Sequence, residues 1–212
     1  PYLSRGLGDV YKRQFVGVYP QGHLLSWNLG QEKSTADDVA FVEAIVAMLV
    51  ADDGVDAERL FAAGGSNGAG LTHQLAMETD VFQGMAALST ALIEGSLPQD
   101  GGPRLSVLQI HGTADEVCPY AGGSAVTGHT YLSAEESAAT WAAHSDCEAT
   151  PATTTTDQGN TLLSWSDCAD GVRVTHLGVT DAGHGLPPDT EGGLEAFVWS
   201  FLRKSGTGAA GN

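Results

Sequence analysis

Three residue types at three points along the chain could together carry out acyl transfer. They are a serine nucleophile, a histidine to take its proton, and a carboxylate to fix the histidine's tautomer. The serine is Ser66, in Gly64-Gly65-Ser66-Asn67-Gly68, a G-x-S-x-G spacing of the kind that forms a sharp strand-to-helix turn. Such a turn strains the serine backbone, and glycines two residues to either side remove side chains that would clash. A helix opening behind it aims free N–H groups at the serine oxygen. The backbone N–H of Asn67 is then placed to donate to an oxyanion. The carboxylate is Asp115, in His111-Gly112-Thr113-Ala114-Asp115, and the histidine is His184, in Asp181-Ala182-Gly183-His184-Gly185. With 28 glycines in 212 residues, the first pattern alone carries little weight. Its setting between a strand and a helix, and the chain order Ser, Asp, His, carry more.

In that arrangement Ser66 attacks an ester carbonyl, His184 removes its proton and later protonates the leaving alkoxide, and Asp115 orients the imidazole. Asp181 and Asp189 lie nearer His184 in sequence and are alternatives to Asp115. Of the seven histidines, His111 ends a strand beside the acid loop and is expected to pack there. His73 falls on the helix behind Ser66, while His23, His129, His144 and His176 sit in no motif. No Cys/His pair has zinc spacing and no glycine-rich phosphate loop is present, so neither a metal nor another cofactor is expected. Trp27, in the polar loop Gln21 to Lys33, either lines a substrate cleft or packs down onto the domain.

Side chains this far apart need a rigid frame. Phe15 to Pro20 reads as a short buried strand closed by a proline. Ser34 and Thr35 offer an N-cap, with Thr35 and Asp38 at capping-box spacing. Val39, Val42, Ile45, Val46 and Leu49 then recur at helical period to about Ala51. Asp37 and Asp38 are read as caps. Leu60 to Ala63 is the strand before Ser66, and the helix after it runs to about Thr79. Met85 to Ser89 and Leu105 to Ile110 are further strands. Ser133 caps a helix ending near His144. Thr153 to Thr156 is a loop or edge strand, Thr161 to Trp165 pairs with Val172 to Val179, and Leu194 to Leu202 is a last helix. Strands alternating with helices indicate an α/β fold with a mostly parallel sheet, whose ligands sit at the carboxyl ends of the strands. Ser66 and Asp115 both fall at such ends.

The formal net charge of −17 repels nucleic acid and anionic membranes, so neither is an expected partner. No run approaches a membrane span in length. Residues 1–14 read as foreign to the rest. Asp9 to Gln14 resembles the translation of an adapter used in sequencing libraries, and Arg5, Lys12 and Arg13 supply three of the nine basic residues. A genuine basic tail is the alternative. One catalytic domain is expected over residues 15–204, followed by a frayed tail from Ser205 to Asn212. Cys147 and Cys168 either form a bridge stapling a peripheral hairpin, which implies an oxidising compartment, or remain thiols. Cys118 is expected to stay free and buried.

Across nearly all of Phe15 to Lys204 the chain resembles the secreted polyhydroxybutyrate depolymerase and feruloyl esterase group of α/β-hydrolases. The matching blocks are Val-Tyr-Pro-Gln-Gly (18–22), Ser-Trp-Asn (26–28), Asp-Asp-Val-Ala-Phe (37–41) and Gly-Gly-Ser-Asn-Gly-Ala-Gly (64–70). His-Gly-Thr-Ala-Asp (111–115) with Pro119-Tyr120, the cysteine pair and Ala-Gly-His (182–184) complete them. The resemblance implies a secreted serine esterase acting on hydroxyalkanoate or hydroxycinnamoyl esters, with Ser66, Asp115 and His184 as triad and Cys147–Cys168 as a disulfide. Non-catalytic polymer binding on a decayed hydrolase fold, and a serine peptidase, are the competing functions. The family commonly has Gly-Gly-His where Ala182-Gly183-His184 stands, and an aliphatic residue at Cys118. Its members also carry earlier strands and a His-Gly segment supplying a second oxyanion donor, which the chain from Phe15 lacks. An α/β-hydrolase domain without its first strands, weakly active or inactive by itself, is the resulting expectation. Losing one oxyanion donor costs about 3 kcal/mol of transition-state stabilisation.

Overall fold

A computed structural model describes residues 15–52 and 54–206. The expected foreign segment 1–14, and residues 207–212 of the expected tail, lie outside the described residues. Four strands run parallel: β1 (Phe61–Gly65), β2 (Gly84–Leu88), β3 (Ser106–Gly112) and β8 (Val174–Val179). β7 (Thr161–Trp165) and β6 (Ala152–Thr155) extend the sheet antiparallel beyond β8, giving the order β1-β2-β3-β8-β7-β6. A small separate ribbon pairs β4 (Gly123–Ser124) with β5 (Thr130–Tyr131).

Four helices complete the layers: α1 (Asp38–Asp52), α2 (Asn67–Glu78), α3 (Ala134–His144) and α4 (Leu194–Leu202). The strands alternate, as a two-residue period requires. Met85, Val107 and Val174 pack with Ala76, Ala138 and Trp141 on the α2–α3 face. Ala86, Leu108, Ile110, Leu177 and Val179 pack with Phe197, Val198 and Leu202 on the α4 face. β3 is buried along its whole length, so both ends of the site it carries are held from two sides. α1 lies outside α2, with Val42 against Leu71 and Leu75.

Three expectations change. Phe15 to Pro20 is not a strand: it has no ladder partner, Val16 and Tyr19 are more than half exposed, and Phe15 instead packs its ring 4.6 Å from Trp199. β1 accordingly stands at one edge of the sheet. The first cap shifts two residues, because Asp37 rather than Thr35 accepts the Ala40 N–H (2.9 Å). Asp38 turns away from the helix end and accepts the Asn28 N–H (2.6 Å), tying down the loop before it. Ser205, assigned to the tail, is buried, with its amide bonded to the Leu202 carbonyl and its side chain against Gly84.

Other elements follow their sequence signals. Ser133 caps α3 in a full capping box with Glu136, and the threonine run becomes the exposed edge strand β6. Cys147 and Cys168 are bridged, joining the end of α3 to the loop between β7 and β8. Cys118 is free and buried.

Candidate active site

Ser66 sits between β1 and α2 with φ 53° and ψ −124°, a conformation that costs an L-residue about 1–3 kcal/mol. Surrounding bonds hold it there. The Ser66 N–H donates to the Leu88 carbonyl (2.9 Å), while its own carbonyl accepts from the Ala69 and Gly70 N–H groups and from the Thr90 hydroxyl. A Cβ on Gly64 would overlap the Gly68 carbonyl, so that position requires glycine. A Cβ on Gly68 would only reach ordinary contact, 3.7 Å from Trp27 Nε1. Of the two motif glycines, space demands the first alone.

Asp115 and His184 arrive from two neighbouring parallel strands, β3 and β8, with β2 lying between them and β1. Thr113 to Pro119 follows β3, and Thr180 to Pro188 follows β8. The two loops are stitched by Thr113 N–H to the Val179 carbonyl and Ala114 N–H to the Ala182 carbonyl (both 2.9 Å). Gly112 lets them meet, since a Cβ there would overlap the carbonyls of Ala182 and Gly183. As a result, Ser66 Oγ lies 2.8 Å from His184 Nε2, and His184 Nδ1 lies 2.9 Å from Asp115 Oδ2. Residues 118 and 69 positions apart thus form one relay. Asp115 is buried, while the His184 side chain keeps a quarter of its surface exposed, open to an incoming ester or water.

Every lone-pair direction of Asp115 is used. Oδ1 accepts the N–H groups of Val117 (2.9 Å) and Cys118 (3.1 Å). Oδ2 accepts His184 and also His111 Nε2 (3.1 Å). Asp181 has its N–H tied to Thr113 Oγ1 (2.9 Å) in an exposed turn, and Asp189 lies on a short turn before α4. It is Asp115 that meets the His184 ring.

Asn67 opens α2, so its N–H has no partner within the helix. Its side chain grips Trp27 at two points: the Trp27 N–H donates to Oδ1 (2.7 Å), and Nδ2 donates to the Trp27 carbonyl (3.0 Å). Trp27 is thereby fastened against the elbow, half-buried, with Gly68 and Leu71 beside it. Sequence reasoning missed what secures this clamp. Glu32 accepts Asn67 Nδ2 (3.2 Å), His129 Nε2 (3.1 Å) and the Leu29 N–H (2.7 Å). Burial alone would raise the Glu32 carboxyl, but the bonds from His129 and the loop N–H groups hold it below the usual range.

Two buried histidines brace the site from beneath. His73 accepts from Trp141 Nε1 (3.1 Å) and donates to the Thr90 carbonyl (3.3 Å), and its burial pushes it down to about 4. His176 accepts from Gln109 Nε2 (3.2 Å) at Nδ1, which leaves Nε2–H to donate to the Tyr120 hydroxyl (3.0 Å). Burial, aided by nearby His111, pushes it down to about 3. Among the described residues no group of three His, Cys, Asp or Glu side chains could hold a metal ion, and no helix is long and apolar enough to cross a membrane.

No family model matches the chain. It is 29% identical over 188 residues to feruloyl esterase B of Piromyces equi, covering 84% of this chain and 33% of that protein. It is 38% identical over 120 residues to a probable feruloyl esterase C of Aspergillus clavatus, covering 56% and 42%. Feruloyl esterase C of Emericella nidulans is 38% identical over 98 residues, covering 45% and 35%. The chain spans less than half the length of each of these relatives. The acetyl xylan esterase from Aspergillus awamori superposes with a TM-score of 0.56 at 15% identity, over 77% of this chain and 67% of that one. That likeness shows the fold.

Proposed function

We propose that the chain carries the catalytic centre of a serine carboxylic-ester hydrolase of α/β-hydrolase type. The observation that carries the reading is the unbroken relay from Ser66 Oγ through His184 to Asp115, at the carboxyl ends of three parallel strands. Ser66 Oγ attacks the ester carbonyl carbon and its proton passes to His184 Nε2. The Asn67 N–H faces the oxyanion of the tetrahedral intermediate. Collapse breaks the ester C–O bond, and His184 returns the proton to the departing alkoxide, leaving an acyl group on Ser66. Water, deprotonated by the same imidazole, then releases the acid. Asp115, saturated with donors, keeps the His184 Nδ1–H tautomer in place throughout. The serine, its histidine and the oxyanion donor need no metal.

The names feruloyl esterase and acetyl xylan esterase among the similar proteins favour plant-wall esters, hydroxycinnamoyl esters first, over the hydroxyalkanoates also expected from the sequence. The Trp27 main chain is clamped beside Ser66 and its half-buried ring packs toward Val42, Leu71 and Leu75, the packed-down alternative of the two expected from the sequence. The Cys147–Cys168 bridge and the acidic surface suit an extracellular protein. Fluorophosphonate labelling followed by intact mass tests the reading. One adduct is expected, lost in Ser66→Ala and slowed about 10³-fold or more in Asp115→Asn, where the imidazole tautomer is no longer enforced. Unchanged labelling in Ser66→Ala would end it. Faster turnover of an anilide than of the matching methyl ester would instead favour a peptidase, and retention of polymer without turnover a binding domain.

A further inference from the structure

His111 is absent from the relay just described, yet it touches the relay's acid. It ends β3, is fully buried, and places Nε2 3.1 Å from Asp115 Oδ2 and 2.8 Å from the Cys118 carbonyl oxygen. Both neighbours only accept, so Nε2 carries the proton. Nδ1 is buried with no partner. A second proton there would create an orphaned buried donor, which folded proteins avoid. His111 is therefore a neutral Nε2–H imidazole, a fixed donor rather than a charge. Burial pushing its protonation below the ordinary histidine range agrees, against the opposing pull of the Cys118 carbonyl and Asp115.

We propose that His111 is a positioning residue: its Nε2–H holds the same carboxylate oxygen that receives His184, and so sets the aim and the grip of Asp115 on the imidazole. The inference rests on the reading of Ser66, Asp115 and His184 as a nucleophilic triad. Two consequences follow from two donors sharing Oδ2. The first is orientation. Backbone N–H groups fix Oδ1, but without His111 the Oδ2 end is restrained only by the histidine it is meant to restrain. The second is strength. A donor already on Oδ2 lowers its pull on His184, so removing His111 makes the carboxylate hold the imidazolium more tightly.

The titratable groups facing His111 come from every element around it. Asp115 and Cys118 belong to its own loop, Tyr120 stands edge-on with its ring 5.7 Å away, and His176 (β8), His73 (α2) and His184 (after β8) lie behind them. Only Asp115 and His184 share the bonded oxygen.

The test is the rate of fluorophosphonate labelling at Ser66, followed by intact mass from about pH 5 to pH 9. His111→Phe is expected to label about tenfold more slowly at its plateau, with the acidic limb of the profile moved up by about half a pH unit. His111→Gln, whose amide N–H falls near the Nε2 position, is expected to restore both within about threefold. Should His111→Phe fail to fold, His111→Asn takes its place, since its shorter amide cannot reach Oδ2. A purely packing role would lower the thermal midpoint and leave the limb where it was. A folded Phe or Asn variant with the parent's plateau and limb overturns the inference while leaving the triad standing, as does a Gln variant no better than Phe. An unsubstituted chain that does not label at Ser66 overturns both.

Discussion

At the scale of single residues, the elbow separates two glycines that the motif treats alike. Gly64 faces the Gly68 carbonyl with no room for a methyl group, whereas Gly68 faces only the edge of Trp27. Gly64→Ala should therefore cost about 3 kcal/mol through forced backbone movement, lowering the urea midpoint or the soluble yield. Gly68→Ala should stay within about 1 kcal/mol of the parent, on the stabilising side, because alanine suits the first turn of α2 better than glycine. Equal loss from both substitutions would contradict this. Ser66, Asp115 and His184 were legible in the sequence because each lies in a short pattern at the end of an apolar run. The partners of the Asn67 side chain, and the donors to Asp115 other than His184, were not. Glu32 reaches Asn67 and His129 across separations of 35 and 97 residues, and no local spacing announces a bond of that kind. His111 was legible as buried, but its proton-bearing nitrogen becomes meaningful only once the loop folds back over it.

At the scale of elements, the parallel strands and their helices follow hydrophobic period closely, and the exception has a clear cause. Phe15 to Pro20 has the composition of a strand but no pairing partner among the described residues, and strand formation is a property of two segments rather than one. Its aromatic end is captured by Trp199 instead. The cap of α1 moved because Asp37 and Thr35 are both competent, and Asp38 is drawn away to the Asn28 amide. On the far side of the sheet, the β6–β7 hairpin is fastened by the Cys147–Cys168 bridge, and by Glu148 N–H to the Ser166 carbonyl and Ala169 N–H to the Ser145 carbonyl. Closing a loop of 21 residues stabilises by about 3 kcal/mol in the chain-entropy model. Reduction, or the Cys147→Ser/Cys168→Ser pair, should lower the thermal midpoint by several degrees. Because the bridge lies away from Ser66, the rate of fluorophosphonate labelling well below that midpoint should not change.

At the scale of the whole molecule, the acid response is set by histidines that must remain neutral. His73 and His176 have folded values of about 4 and about 3, both depressed by burial. As pH falls below the ordinary histidine range, the unfolded chain takes up protons that the folded chain refuses, so stability declines with pH. The loss is complete only when the folded groups themselves protonate, near pH 4 and pH 3. Each histidine contributes a slope of about 1.4 kcal/mol per pH unit within that window. Urea midpoints should therefore drop between pH 6 and pH 4, and His176→Gln should remove about a third of the histidine slope, buried His111 being the third imidazole held below its ordinary range. A profile flat across the window would refute the assignment.

The double grip of Asn67 on Trp27 also decides what mutagenesis can reveal. Its proposed chemistry resides in the peptide N–H, which alanine keeps, while its side chain moors a loop. An alanine scan at this position would consequently score the mooring and report it as catalysis. Only a main-chain amide-to-ester replacement, made by semisynthesis, would interrogate the donor by itself.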